Sequence, residues 1–289
     1  MTWSNFHSHS EFCDGKLGLE RYLSQAIRLD MKAIGFSGHA PLPFECRWCM
    51  KSDKAEEYLK TISNLQRDFQ SEIEIYGGME VDYIPDIISP SDPKIKAFDL
   101  DFIVGSIHFL DSFDSGQPWE IDGAFNTFKL GLSEIYHGNI QRVVQKYFAL
   151  TREMITNHTP DIIGHIDKIK IHNRHQPLFK ERDPWYQREV KATLEILAQS
   201  DSILEVNTRG LYTGKAAETY PSIWVLELAR KLDVPITLNS DAHHPKDLIQ
   251  LFPETAHKLN QVGFRTLKVL MGHQWVDLPF DHNGFSEAI

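Results

Sequence analysis

Trp3-Ser4-Asn5-Phe6-His7-Ser8-His9 is a short, largely apolar stretch that runs into two histidines. Alternate residues at a strand end point the same way, so His7 and His9 can reach one ion together. The arrangement recurs along the chain. A strand at 33–36 leads to Ser37-Gly38-His39, one at 73–76 to Gly77-Gly78-Met79-Glu80, and one at 102–104 to Gly105-Ser106-Ile107-His108. A fifth at 161–163 leads to Gly164-His165, and 235–238 reaches Asn239-Ser240-Asp241-Ala242-His243. The strand at 203–206 ends at Asn207 with no metal ligand. Imidazole and carboxylate are donors for divalent transition metals, and a βα fold gathers its strand ends into one crevice. Residues spread over the whole sequence are therefore expected to meet at a multinuclear metal site, and an enzyme is the natural owner of one.

Between these strands lie amphipathic helices, the alternation of an α/β architecture. Leu19, Tyr22, Leu23, Ala26 and Ile27 are spaced as one helical face, as are Ile140, Val143, Val144, Tyr147 and Met154. Asp53-x-x-Glu56 has the form of a capping box opening a helix to about residue 70. Asp92-Pro93, Asp183-Pro184 and Pro221-Ser222 open three more, the second running to about residue 200. The tail is expected to hold a helix over 254–262 and a strand over 266–270. No repeat, low-complexity tract or linker interrupts the alternation, so residues 1–289 are expected to form a single domain.

Longer connections fall at about 41–51, 110–128, 166–182 and 208–220. Each follows a strand and so lies on the ligand-bearing side, where long loops shape pockets. Trp48, Trp119, Arg174 and Arg209 are the candidate pocket walls. Cys46-Arg47-Trp48-Cys49 lies in the first of these loops after Pro41-Leu42-Pro43-Phe44, and is read as a pair of plain loop thiols.

Composition removes several classes. With 42% hydrophobic and 24% charged residues, the chain is an ordinary globular sequence. A formal charge of −10 without any Lys/Arg run argues against a nucleic-acid polymer as partner. No apolar run of ~18 residues suggests a membrane span. The first residues carry no basic-then-apolar leader, and three cysteines make no disulfide framework, so the cytoplasm is the expected compartment. Nothing in the chain specifies an oligomeric state.

The donors number too many for one tetrahedral ion. His7, His9, His39, Glu80, His108, His165, Asp241 and His243 are joined by Asp14 in Phe12-Cys13-Asp14-Gly15. Two or three ions follow, with at least one carboxylate bridging. His172, His175 and His244 are placed outside the ligand set. Lys168, Lys170, Arg174 and Arg209 are the cationic candidates for a phosphate clamp. Arg209 is favoured, because Asn207-Thr208-Arg209-Gly210 follows the one strand without a ligand and leaves that strand end free for substrate.

The order His-x-His, Asp-Gly, His, Glu, His, His, Asp-x-His resembles the polymerase and histidinol phosphatase (PHP) superfamily, from residue 7 to about 244. Phe12-Cys13-Asp14-Gly15, Gly78-Met79-Glu80-Val81-Asp82-Tyr83 and Gly105-Ser106-Ile107-His108-Phe109 are similar to its histidinol-phosphatase branch. The resemblance implies a distorted (β/α)7 TIM-like barrel with three divalent ions, of zinc, manganese or iron. It further implies that His7, His9, Glu80 and Asp241 hold one ion. Glu80 bridges to a second with His108 and His165, and Asp14, His39 and His243 hold the third. The chain departs from the pattern at Gly38, where relatives often carry Asp.

Adjacent metals lower the pKa of a shared water and neutralise the oxygens of an electrophile. The chemistry expected is attack by a metal-bridging hydroxide on a small phosphate monoester, with Glu80 and Asp241 at its centre and Asp167 or His172 protonating the leaving group. The resemblance implies L-histidinol phosphate as substrate in histidine biosynthesis. Another sugar or nucleotide phosphate, or a metal-binding scaffold without turnover, are the alternatives.

Overall fold

The computed structural model of the chain describes residues 2–174 and 177–286. In chain order its strands are β1 (Ser4–Asn5), β2 (Ala33–Phe36), β3 (Glu74–Asp82), β4 (Phe102–Ser106), β5 (Phe109–Ser112) and β6 (Pro118–Glu120). There follow β7 (Ile162–Ile163), β8 (Ile203–Asn207), β9 (Ile236–Asn239), β10 (Thr266–Met271), β11 (Gln274–Asp281) and β12 (Gly284–Phe285). Seven of them form one parallel sheet in the order β1-β2-β3-β4-β7-β8-β9. Helices cover its outer face and side chains fill its inside, so its strands are buried on both faces.

The sheet curls until its first and last strands meet. Ser8 and Ala242 form a parallel bridge, with His9 N–H donating to Ala242 O at 2.8 Å and Ala242 N–H to His7 O at 3.1 Å. The Asn239 side chain accepts from Phe6 N–H at 2.8 Å. The result is a nearly closed, TIM-like barrel of seven parallel strands. Its closure draws His7-Ser8-His9 against Asp241-Ala242-His243, the two ends of the ligand series.

The outer helices follow the apolar spacing. Leu19–Arg28 buries Leu19, Tyr22, Leu23 and Ala26, and Ile140–His158 buries Val143, Val144, Tyr147 and Met154. Pro184 sits in the first turn of Pro184–Leu197, where its missing N–H has no helical partner to lose. Among the described residues no helix is long and apolar enough to cross a membrane.

Four local expectations change. The Asp53-x-x-Glu56 capping box does not form: a 3-10 turn over Ser52–Lys54 precedes the helix Ala55–Phe69, whose cap is Lys54 with no side-chain hydrogen bond. β3 continues past residue 76 to Asp82, so Glu80 lies inside a strand. The 110–128 connection contains the β5–β6 hairpin and the start of a helix over Phe125–Glu134. The tail forms an antiparallel sheet, β10-β11-β12, and Trp275 on β11 packs at 5.2 Å from the Phe6 ring.

The loop thiols also require correction. Cys46 and Cys49 form a disulfide with Cα atoms 5.4 Å apart, inside the range that the bond needs. Their spacing permitted a bond that the loop conformation then closed. Cys13 is the free cysteine. Thiol titration of the denatured, unreduced protein is expected to find one reactive group per chain; three would contradict the pairing.

Candidate metal centre

The strand ends converge on Glu80. The parallel pairing of β2 with β3 continues through a His39–Glu80 bridge, and Glu80 stands opposite Val104 on β4. These registers place His39, Glu80 and the segment leading to His108 at one level of the barrel. His165 and Asp241 follow β7 and β9 with positive φ, 21° and 52°. Such backbone is uncommon outside glycine and concentrates at functional sites.

The two oxygens of Glu80 face different partners. Oε2 lies 3.2 Å from His7 Nε2, 3.5 Å from His9 Nε2 and 3.0 Å from His39 Nδ1. Oε1 lies 2.9 Å from His165 Nε2 and 3.6 Å from His108 Nε2. Asp241 Oδ1 is 3.3 Å from His9 Nε2, while Asp14 lies 3.1 Å from His243 Nε2 and 3.7 Å from His39 Nε2. Donor atoms of His9, Asp14, His39 and His243 lie within 4.8 Å of one another. So do those of His7, His9 and Asp241, of His7, Glu80 and His165, and of His39, Glu80 and His108. All nine expected ligands are brought together.

The donor set suits cations. Buried polar atoms ordinarily find a hydrogen-bond partner. Yet His7 Nε2, His9 Nε2, His39 Nδ1 and Asp241 Oδ1 are buried without one, all aimed into the cluster. Lys168 Nζ approaches His108 Nε2 to 3.1 Å, so a positive charge already stands at that ring.

Two carboxylates behind the ligands went unnoticed in the sequence. Glu205 on β8 lies 2.6 Å from His7 Nδ1 and accepts the His165 backbone N–H at 2.8 Å. The Asn207 and Asn239 amides also donate to it, at 3.0 and 3.1 Å. Asp82 Oδ1 lies 3.0 Å from His108 Nδ1 and 2.9 Å from its backbone N. A carboxylate accepts, so each ring carries its proton on Nδ1 and turns Nε2 toward the cluster. Glu205 was detectable as a charged residue inside an otherwise apolar strand, and Asp82 as the residue two beyond Glu80 on the same strand face. Behind His39 there is no such carboxylate, because Gly38 has no side chain; a Cβ there would lie 3.3 Å from Cys13 Sγ and Met50 Cε. Trp48 packs edge-on against His39 instead, with centroids 4.5 Å apart.

The charges set the titration. Burial lowers the pKa of His7, but Glu205, Glu80 and Asp241 outweigh it and hold the ring above its ordinary value. Burial raises Glu80 and Asp241, and the surrounding cations pull both well below the carboxylate range: His39, His7 and His108 for Glu80, His7 and Arg209 for Asp241. Replacing Glu205 by Gln removes the charge that orients His7. Metal affinity is expected to fall by about 10–100-fold, measured by competition with a chromophoric chelator; unchanged affinity would show that Glu205 does not support the site.

A cavity of about 170 Å³ opens over the cluster, room for one small ester. Trp48, Lys168 and Arg209 line it as anticipated, with Glu120, Asp122, Lys215 and Tyr220, which were not. Arg209 Nη1 reaches Asp241 O at 2.9 Å and His243 Nδ1 at 2.6 Å.

Other expectations are not met. Asp167 is fully buried, its carboxyl pushed up to about 6 by burial against the pull of Lys170. Its Oδ2 is held by Lys170 Nζ at 2.5 Å and by Ser222 N–H at 3.1 Å. His172 sits 3.1 Å from Ile121 O and packs on Phe128. Neither lines the cavity. The 3-10 helix Lys168–Asn173 turns only Lys168 and Ile171 toward it. Lys170 is therefore committed to Asp167, and Arg174 donates to the Gly214 and Ala216 carbonyls. Asn207, expected to hold substrate, is buried between Glu205 and Asp241. Trp119 is in the core. His244 caps a turn at Lys246, and His175 lies outside the described residues.

A TIM-like βα barrel with a cluster of imidazole and carboxylate donors at its strand ends defines a divalent-metal-binding enzyme. The chain belongs to the PHP domain family, whose model matches residues 5–209. It is 26% identical to the "Probable histidinol-phosphatase" of Deinococcus radiodurans, over 90% of this chain and 94% of that one. It is 26% identical to the histidinol-phosphatase of Bacillus subtilis, over 84% and 94%. The crystal structure of histidinol phosphate phosphatase from Lactococcus lactis, complexed with zinc, L-histidinol and phosphate, superposes with a TM-score of 0.71 at 20% identity, covering 99% of this chain and 100% of that one.

Proposed function

We propose that this chain is a metal-dependent histidinol-phosphatase that hydrolyses L-histidinol phosphate to L-histidinol and phosphate, a step of histidine biosynthesis. The observation that carries the metal chemistry is Glu80, with three imidazoles at one oxygen and two at the other. The relatives' names supply the substrate, and the complete donor set favours turnover over an inert scaffold.

Three ions are proposed, of zinc, manganese or iron, since mixed imidazole and carboxylate donors suit each. His7, His9, Glu80 and Asp241 would hold the first, and Glu80, His108 and His165 the second. Asp14, His39 and His243 would hold the third, supported by their grouping with His9. Bound there, such ions supply an activated water and offset the charge of the phosphoryl oxygens.

The remaining chemistry belongs to the chain. Glu205 and Asp82 fix the faces of His7 and His108. Asn207 steadies Asp241 through a 3.2 Å contact. Arg209, Lys168 and Lys215 line the cavity as the cations available to phosphate oxygens. Trp48, stacked on Phe109 at 5.6 Å, walls the alcohol half of the substrate from water. We take residues 1–289 as one domain, supported by Leu267 and Phe280 of the C-terminal sheet joining the main core. We place the protein in the cytoplasm, since the one local Cys46–Cys49 bridge is not the multi-disulfide framework of a secreted domain.

The test is phosphate release from L-histidinol phosphate against sugar and nucleotide monoesters under the same metal loading. Histidinol phosphate is expected to give the highest kcat/KM. A sugar or nucleotide phosphate ahead of it would replace the substrate and leave the metal chemistry standing.

A further inference from the structure

Cys46-Arg47-Trp48-Cys49 stands where His39 lacks other support. His39 Nδ1 lies 3.0 Å from Glu80 Oε2, and its Nε2 lies 3.7 Å from Asp14 Oδ1. Both nitrogens thus face the cluster. Neither is left for a carboxylate behind the ring, of the kind that holds His7 and His108. The His39 ring must therefore be oriented by packing, and Trp48 supplies it. Its indole meets His39 edge-on at 4.5 Å and is itself stacked on Phe109 at 5.6 Å. The loop that carries Trp48 has little of its own to fix it. Among the described residues, 41–49 make no backbone hydrogen bond, and Met50 N–H, donating to His39 O at 3.1 Å, is the first tie after them. The Cys46–Cys49 bridge is the covalent closure of that loop around Trp48.

Both cysteines line an open groove of about 700 Å³ on the far side of the loop. Cys49 is buried and Cys46 half-buried, so solvent reaches the bridge at Cys46. A sulfur reached in this way is open to thiol–disulfide exchange, and cytoplasmic bridges are most often redox-sensing. We infer that the Cys46–Cys49 bridge is a redox-sensitive positioning element. Closed, it holds Trp48 against His39 and raises the affinity of the third metal site; its reduction weakens that site. The step needs a dithiol reductant. One of its thiolates attacks Cys46 Sγ, the S–S bond breaks, and Cys49 leaves as thiolate. The second thiolate then attacks the mixed disulfide and releases Cys46. Two electrons and two protons pass to the protein, and the reductant ends as a disulfide. His108 is spared, since Asp82 holds its ring at 3.0 Å and its backbone at 2.9 Å. The inference rests on the assignment of Asp14, His39 and His243 to a third ion, and is independent of which ester is hydrolysed.

The experiment compares the bridged chain with the chain reduced by a thioredoxin-type dithiol protein, which is then removed without air, and with the Cys46→Ser, Cys49→Ser double variant. Thiols are counted in each, and the affinity for each ion is read by competition with a chromophoric chelator. The bridged form is expected to hold three ions, one of which binds about 10–100-fold more weakly in both open forms. Trp48→Ala is expected to show that weaker site already and to lose nothing further on reduction, since the bridge acts through Trp48. Affinities indifferent to the bridge overturn the inference. So does a loss on reduction that persists in full in Trp48→Ala, or a bridge that the dithiol does not open in the native protein. If the double variant fails to fold, the reduced wild-type chain decides. A bridged protein with only two ions, unaltered by His39→Ala, would instead remove the third site itself, and this inference with it.

Discussion

Glu80→Gln is expected to lower phosphatase turnover by about 10³-fold or more, on the scale of losing a central electrostatic element of an active site. The side chain is nearly isosteric, so packing against Ser106, whose hydroxyl donates to Oε1 at 2.6 Å, has little reason to change. The charge and one acceptor oxygen are lost. An amide offers one carbonyl oxygen and an NH2, whose nitrogen has no free lone pair to give a metal ion. Glu80 is the side chain with separate imidazole sets at its two oxygens, so the amide is expected to cost the connection between two ions as well as the affinity of each. Metal analysis should therefore show fewer ions per chain in the variant, alongside the lost turnover. Wild-type activity with a full metal complement would remove Glu80 from the centre of the mechanism.

Stripping the metals is expected to abolish activity and to lower Tm by more than about 10 °C, as several ligands bound only by the native state are lost together. The size of the gap depends on pH. Without metal, burial lowers the His108 pKa, but Asp82 and Glu80 overcome burial and Lys168 and raise it to about 9 from the ordinary 6.5. A histidine with a raised folded pKa contributes its full stability below the unfolded value of 6.5, and that stability fades as pH rises through 9. Metal binding runs in the opposite sense, because the ring must lose its proton to coordinate. The difference in Tm between loaded and stripped protein should accordingly widen from pH 6.5 to 9. Calorimetry at several pH values checks this, and a gap that narrows over that range would contradict the assignment of His108 as a ligand.

The donor cluster was legible because metal sites demand few residue types, and those types sat after recognisable strands. His7, His9, Asp241 and His243 lie at opposite ends of the chain, yet each pair carries a local spacing that strand geometry interprets. What was less legible depended on contacts without a local pattern. Glu205 acts on His7 across 198 residues, and only its presence inside an apolar strand hinted at a task. Asp167 and His172 looked suitable because they follow His165 closely; the direction in which a short 3-10 turn faces has no periodic signature, and it carried both away from the cavity. The strand end without a ligand met expectation at Arg209 and departed from it at Asn207. Asn207 is tied down behind Asp241, and the cavity-facing group is Arg209, two residues further on. In the tail, β11 alternates exposed and half-buried residues without an apolar run, so its pairing emerges only from contact with β10 and the barrel.

Titration of divalent metal into the stripped protein, with phosphate release from L-histidinol phosphate followed at each step, tests the central claim most directly. Activity is expected to be absent without metal and to rise to a maximum as about three ions bind, the number that donors of this kind and count support. Full phosphatase activity in the stripped protein, or none once the ions are bound, would contradict it.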